Sequence, residues 1–191
     1  MAYKELIYSI EGQVAVITLN RPEMMNALTH LTHVELHQAI EEANRDDNIR
    51  VIVITGAGRG FCSGDDVKTI FRSGAGYEDE AQRRREEQLK WLQGGGLFGG
   101  GRILLEINKP SIAAVNGAAV GYGCDITLMC DMRIASDKAR FGEVFLRVGL
   151  IPDEAHLLLP RLVGLSKAYE LILTTDIIDA EEAYRIGLVN K

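Results

Sequence analysis

Two stretches rich in apolar and β-branched residues, Tyr3 to Ile10 and Val14 to Leu19, are separated by the polar Glu11-Gly12-Gln13, and this predicts two strands joined there as a hairpin. Asn20-Arg21-Pro22-Glu23 reads as a turn, because Pro22 cannot continue a ladder. The period then lengthens. Thr29 is placed as N-cap of a helix from about His30 to Arg45, with Leu31, Val34, Ile40 and Ala43 as its apolar stripe. Val51 to Thr55 is a β-branched run that reads as a buried strand. A short helix is expected over Asp65 to Phe71, a break at residues 73–76, and a charged helix over Tyr77 to Leu92. Glycine triplets at 94–96 and 99–101 interrupt it; they are hostile to helix and mark the expected flexible segment. Helix resumes over Arg102 to Ile107. Ser111 to Val115 reads as a buried strand, Ile126 to Cys130 as an apolar helix and Met132 to Ala135 as a short strand. Three helices follow, Ala155 to Leu162, Lys167 to Leu173 after Ser166 as N-cap, and Ala180 to Ile186. Gly187 to Lys191 looks like the start of a strand or turn. Short strands with intervening helices give the α/β class.

Two of the predicted strands run into glycine-rich turns. Val51–Thr55 enters Gly56-Ala57-Gly58-Arg59-Gly60-Phe61-Cys62-Ser63-Gly64, and Ser111–Val115 enters Asn116-Gly117-Ala118-Ala119-Val120-Gly121-Tyr122-Gly123. Small residues let backbone approach a ligand closely, and a helix starting at such a turn aims N–H groups and its positive dipole end there. That arrangement can hold a developing oxyanion. A pair of such turns could supply one N–H each to a shared site.

Size and charge then narrow the classes. The chain's 191 residues suit one domain, residues 1–191, with a real core. A net charge of −6 argues against a nucleic-acid partner, and Arg83-Arg84-Arg85 is followed at once by Glu86-Glu87. Cys62, Cys124 and Cys130 make an odd count without metal or disulfide spacing; they read as small buried residues in a reducing cytoplasm. The opening residues lack a signal-peptide pattern, and no apolar run approaches membrane-spanning length, so no membrane partner is expected.

Several tempting motifs fail on their context. Thr55-Gly56-Ala57-Gly58-Arg59-Gly60 resembles a dinucleotide turn, but two strands and a helix precede it and no tyrosine has lysine four residues on. His33-Val34-Glu35-Leu36-His37 lacks the zinc-protease order and a third ligand, so His30, His33 and His37 read as a partly exposed helix face and no metal is expected. Asp125 can be a first-turn residue on the helix dipole, and Asp153 an N-cap of the following helix. Glu143 and Glu154 read as surface carboxylates, Phe141 and Phe145 as core or pocket wall.

Taken together, the motifs resemble the crotonase superfamily of enoyl-CoA hydratases and isomerases. The matching stretches are Ile17 to Pro22 with Asn26-Ala27-Leu28, Phe61 to Val67, Lys109-Pro110 through Gly121-Tyr122-Gly123-Cys124, Asp131 to Ala135, Phe141-Gly142, Gly149 to Pro152 and Pro160 to Gly164. The resemblance implies a crotonase-like (ClpP/crotonase) spiral of ββα turns, assembled as a homotrimer or a hexamer of paired trimers. It also implies helices beyond Lys191, so that the C-terminal helical part is missing here.

The resemblance further implies an acyl-CoA substrate, with no bound cofactor beyond the coenzyme A that arrives with it. A thioester enolate would be held by the backbone N–H groups of Asp65 and Tyr122. Met24, Met25, Ala27, Ser63, Gly64, Asp66, Val67, Gly121 and Phe145 would line the substrate and CoA site. The two glutamates of hydratases fall on Asp125 and on Phe145, which can do no proton chemistry, whereas a position used by isomerases falls on Asp153. The expected reaction is double-bond migration in an enoyl-CoA, with Asp153 as proton shuttle and Asp125 as helper. Hydration, or acyl-CoA binding without catalysis in a truncated member, are the alternatives.

Overall fold

The computed structural model describes residues 3–66 and 100–191. Over these residues the chain builds two sheets. The first has the strand order β1-β2-β3-β4-β6: β1 (Leu6–Glu11), β2 (Val14–Leu19), β3 (Val51–Gly56), β4 (Ser111–Val115) and β6 (Met132–Ala135). β1 and β2 form the expected hairpin around a two-residue turn in which Gly12 takes φ +63°; every later neighbour in this sheet is parallel. The second sheet is β5 (Ala118–Val120), β7 (Arg140–Gly142) and β8 (Ile178–Asp179).

The link between the sheets repeats. β4 leads directly to β5 and β6 to β7, so each pass contributes one strand to each sheet. Earlier passes leave single bridges in the second layer, Leu28 with Asp65 and Cys62 with Ala119. Neighbouring passes therefore pair in both layers, and the chain advances as a spiral. Alternation supplies the core: Ala15, Ile17, Leu19, Ile52, Ile54, Ala113 and Val115 are buried, each flanked by less buried neighbours. Helices α1 (His30–Arg45), α2 (Tyr122–Met129), α3 (Ala155–Val163), α4 (Leu165–Thr174) and α5 (Ala180–Arg185) flank the strands.

Helix α1 begins where its cap predicted. Thr29 accepts from the Thr32 N–H and Thr32 returns the bond to the Thr29 N–H. Its buried stripe differs from the expected one: Leu36, Ala39, Ile40 and Ala43 face the core with Thr32 and Glu35, while Leu31 is exposed. Glu35 turns inward because its carboxylate accepts the N–H groups of Lys4 and Glu5, both at 2.9 Å, and so ties down the chain entering β1.

Other expectations need correction. Asp65 pairs with Leu28 instead of opening a helix, and residues 118–120 are strand rather than turn. Residues 100–105 form a 3₁₀ segment, beginning within the second glycine triplet. α4 starts at Leu165 after Gly164, so Ser166 is not its cap, and α3 is preceded by Glu154 rather than capped by Asp153. β7 and β8 are too short to show a period. The helix expected over 77–92, the rest of that over 65–71, the break at 73–76, the triplet at 94–96 and Val67 lie outside the described residues.

Two asparagines, Asn26 buried and Asn116 partly so, and bare glycine backbone bind the passes together. Asn26 donates to the carbonyls of Ala57, Gly60 and Phe61, and Asn116 to those of Gly58 and Gly60. A Cβ on Gly123 would stand 2.3 Å from the Cys62 carbonyl oxygen, and one on Gly117 2.0 Å from that of Arg59. Gly123→Ala is therefore expected to cost about 3 kcal/mol or more. Gly149→Ala, with open space around it and only a left-handed φ of +76° to strain, is expected to cost about 1–2 kcal/mol. Urea unfolding of the two variants beside the parent tests the order.

Candidate active site

The two glycine turns meet at backbone distance. Phe61 and Cys62 donate to the Ala118 carbonyl, and Val120 donates to the Cys62 carbonyl at 3.0 Å. Where the turns end, a Cβ on Gly64 would lie 2.9 Å from the Val120 oxygen and 3.3 Å from the Tyr122 nitrogen. Gly64 and Gly121 both adopt positive φ, +86° and +54°, which re-aims the chain at each turn. Tyr122 is the first residue of α2, where N–H groups point out along the helix axis. Leu28 bonds to the residues on either side of Asp65: its N–H donates to Gly64 and its carbonyl accepts from Asp66. Parallel pairing of this kind turns the Asp65 N–H to the other side of the strand. The backbone of Asp65 and Tyr122 thus stands side by side at the end of the two turns.

Carboxyl groups crowd around this point. Asp125, in the first turn of α2, is fully buried, and Glu143, directly after β7, is 2% exposed. Glu154 is buried as well, with the Arg102 guanidinium 4.0 Å away, and Asp153 is half-buried. Burial first, and then the charge of Glu143, holds the Asp125 carboxyl well above the usual carboxylate range; the backbone N–H groups of Glu154 and Ala155 offset only part of this. Burial likewise pushes Glu143 up to about 8, against a lowering influence from the Cys124 thiol. Asp153 is raised by burial and by Asp65 and Glu154, with His33 and His156 opposing. The Tyr122 hydroxyl is held far above its ordinary value by burial and then by the charges of Asp125, Asp65, Asp153 and Glu154.

His33 joins the same cluster. Its Nε2 lies 2.8 Å from Asp65 Oδ1, and its ring meets Tyr122 edge-on with centroids 5.2 Å apart. On the open side, Ser63 donates its N–H to Met25, and Met24 is exposed while Ala27 is buried. Asp66 is buried against Arg21 at 3.5 Å, and Arg21 also reaches Glu5 and the Ala27 carbonyl. Phe145 is buried in the 3₁₀ turn Phe145–Val148, and Leu150 bonds back to its carbonyl. The structure therefore brings Asp65, Tyr122, Gly64, Gly121, Asp125 and Asp153 to one place, and Met24, Met25, Ala27 and Ser63 onto the first turn's outer edge. Among the described residues no group of three or more His, Cys, Asp or Glu is arranged to hold a metal ion.

Two residues near the site were misread from the sequence: Glu143 and Glu154 are buried, not surface carboxylates. His33 lies on a partly exposed helix face as expected, but its contact with Asp65 was not foreseen. The signal for Glu143 was its setting between Phe141-Gly142 and Val144-Phe145. For His33 it was the spacing to Leu36 and Ile40, which puts it at the edge of the buried face of α1.

Comparison with known proteins converges on one family. The family model described as enoyl-CoA hydratase/isomerase matches residues 9–191. The chain is 38% identical to a crotonyl-CoA hydratase of Syntrophomonas wolfei, over 100% of this chain and 70% of that protein. It is 40% identical to a short-chain-enoyl-CoA hydratase of Clostridium acetobutylicum, over 100% of this chain and 69% of the relative. Among solved structures, an enoyl-CoA hydratase from Bacillus anthracis superposes with a TM-score of 0.81 at 32% identity, covering 97% of this chain and 69% of that one. An enoyl-CoA hydratase/isomerase from Pseudoalteromonas atlantica T6c gives 0.80 at 34% identity, covering 97% and 68%.

The raised carboxyls fix a sign for the pH dependence of stability. The folded chain keeps protons on Asp125 and Glu143 that the unfolded chain releases near its ordinary carboxylate value of about 4. Their contribution is therefore complete below that value and is lost as pH rises toward about 8 for Glu143. Unfolding free energy is expected to fall across this window, by up to about 1.4 kcal/mol per pH unit for each proton retained. The double variant Asp125→Asn/Glu143→Gln should flatten the slope, measured by urea unfolding at a series of pH values.

Proposed function

The chain belongs to the enoyl-CoA hydratase/isomerase family and has the crotonase-like α/β spiral fold, and on that premise we propose that it moves the double bond of an enoyl-CoA. It is an enzyme of this family. In our reading the thioester carbonyl sits against the backbone N–H groups of Asp65 and Tyr122, and the enolate that forms there is stabilised by both. Each donor of this kind lowers the barrier by roughly 3 kcal/mol. The approach of Gly64 to the Tyr122 nitrogen is the observation that carries the reading, because any side chain at 64 would fill the space between the turns.

Isomerisation needs one group that takes a proton from one carbon and returns it two carbons away. Asp153 is half-buried, its proton affinity is raised toward that of a usable shuttle, and its charge acts on the Tyr122 hydroxyl. Asp125 assists from within. Phe145 supports isomerisation over two-carboxylate hydration, since an apolar ring cannot hold the second proton. Met24, Met25, Ala27, Ser63, Gly64, Asp66, Val67 and Gly121 line the acyl-CoA path in this reading. CoA arrives with the substrate, and the reaction as drawn uses only protein acids and backbone dipoles. The same reading makes residues 1–191 one domain working in the cytoplasm, with three buried free cysteines and, among the described residues, no helix long and apolar enough to cross a membrane.

Hydration is a second reading, favoured by the names of the relatives at 38% and 40% identity. The two are separated by assaying 3-enoyl-CoA and 2-enoyl-CoA in parallel. Conversion of the 3-enoyl thioester, reduced about a hundredfold or more in Asp153→Asn, is the expected result. Full activity in that variant removes Asp153 from the role, and water addition to the 2-enoyl thioester alone selects hydration.

We also propose a homotrimer or a pair of trimers. Leu146, Val148, Leu150 and Ile151 stand exposed in one short stretch, Ile151 at 78%, and apolar surface so concentrated favours covering by another subunit. Light scattering should give three or six chains per particle; a monomer would refute the assembly.

A further inference from the structure

Glu143 is a buried acid to which the reaction just outlined gives no task. It sits at the end of β7, where the Gly121 N–H bonds to the Gly142 carbonyl at 2.9 Å, so the start of α2 lies along it. Both oxygens of Glu143 and both oxygens of Asp125 are buried without a hydrogen-bond partner among the described residues. Four such atoms cost far more as carboxylates than as neutral acids, because a buried charge without donors loses much more solvation than a buried neutral group.

Among the described residues the groups around the pair offer no counter-charge. From α2 come the Cys124 thiol, facing Glu143, and Tyr122, facing Asp125. From the segment before α3 come Asp153, whose charge acts on both, and the backbone N–H groups of Glu154 and Ala155, which face Asp125 but outside bonding geometry. Arg133 approaches Cys124 from β6, yet its N–H groups go to the carbonyls of Leu188, Thr127 and Cys130. The pair is thus enclosed by acids, a thiol and backbone.

We propose that Glu143 is a positioning residue that holds at least one proton jointly with Asp125 and so keeps Asp125 in its acid form at the site. Two like charges in a closed, low-dielectric space cannot both be carried, so ionisation of one acid retains the proton on the other. Asp125 then serves the enolate as a hydrogen-bond or proton donor, while Asp153, more open to solvent, can be the base. The burial of the two acids and their lack of partners carry the inference, and their raised proton affinities agree with it. The role assigned to Asp125 rests on the isomerase reading; the shared proton does not.

The test separates the two. Carboxyl carbon-13 NMR of the labelled full chain follows Asp125 and Glu143 through a pH series without substrate. In the parent chain Asp125 should stay protonated past neutrality, with ionisation in steps that belong to the pair. In Glu143→Gln, which removes the neighbouring charge and keeps the shape, Asp125 should ionise at a pH lower by one unit or more, and the alkaline limb of the kcat profile should move down with it. A residue with only a packing role would change stability or kcat uniformly and leave both midpoints in place. An Asp125 titration that does not move overturns the proposal. So does a parent chain in which both acids are ionised at pH 7, a result readable even if the variant does not fold. If the NMR shift appears and no isomerisation does, the shared proton stands and the isomerase reading fails.

Discussion

Two successive passes of this chain are packed backbone against backbone, with glycine hydrogens where side chains would otherwise stand. The carbonyls of Arg59 and Cys62 occupy the space that a Cβ at Gly117 or Gly123 would need, and the carbonyl of Phe61 does the same for Gly56. This close approach sets the spacing between the passes. It draws Gly64 up to the start of α2 and lets Asn26 and Asn116 reach across to bond the carbonyls of the first turn. Widening that contact by one methyl group would separate the backbone of Asp65 from that of Tyr122. The sheet pairing and the candidate oxyanion site thus depend on the same missing atoms.

Around that rigid backbone the side chains are unusually acidic. Asp65, Asp125, Asp153 and Glu154 lie near Tyr122 and Glu143 near Asp125, with the His33 ring against Asp65 and the Arg102 guanidinium against Glu154. Enclosure differs from one to the next. Asp65, partly open and bonded to His33, and Asp66, against Arg21, have basic partners. Asp125 and Glu143 have none among the described residues, and burial raises their proton affinity; Asp153, half-buried, is raised as well. Enclosure within a few residues therefore favours the protonated form of Asp125 and Glu143, as the proton transfer proposed above calls for.

Much of the architecture was legible because it is local. The apolar, β-branched runs of β2 and β3, the cap at Thr29 and the helical period of α1 are set by neighbours within a few positions, so their signals lie in the sequence. The strand-to-turn units were visible as glycine clusters, and the matching stretches from Ile17 to Gly164 identified the family. β7 and β8 were not visible, since strands of three and two residues exist only through the partners that the spiral brings to them.

What the sequence determined by itself is the strands of the first sheet, the longer helices and the presence of two glycine turns, because backbone freedom and hydrophobic period are properties of the residues concerned. What only the tertiary structure decided is which acids are enclosed. Glu143 and Glu154 look like ordinary surface carboxylates along the chain, and His33 like one more polar helix residue. Burial of a charge depends on what covers it, and here the cover comes from α2, β7, α1 and the segment before α3, which lie far apart in sequence. The raised proton affinity of Glu143, and so the chemistry open to it, arises only when those elements close on one another.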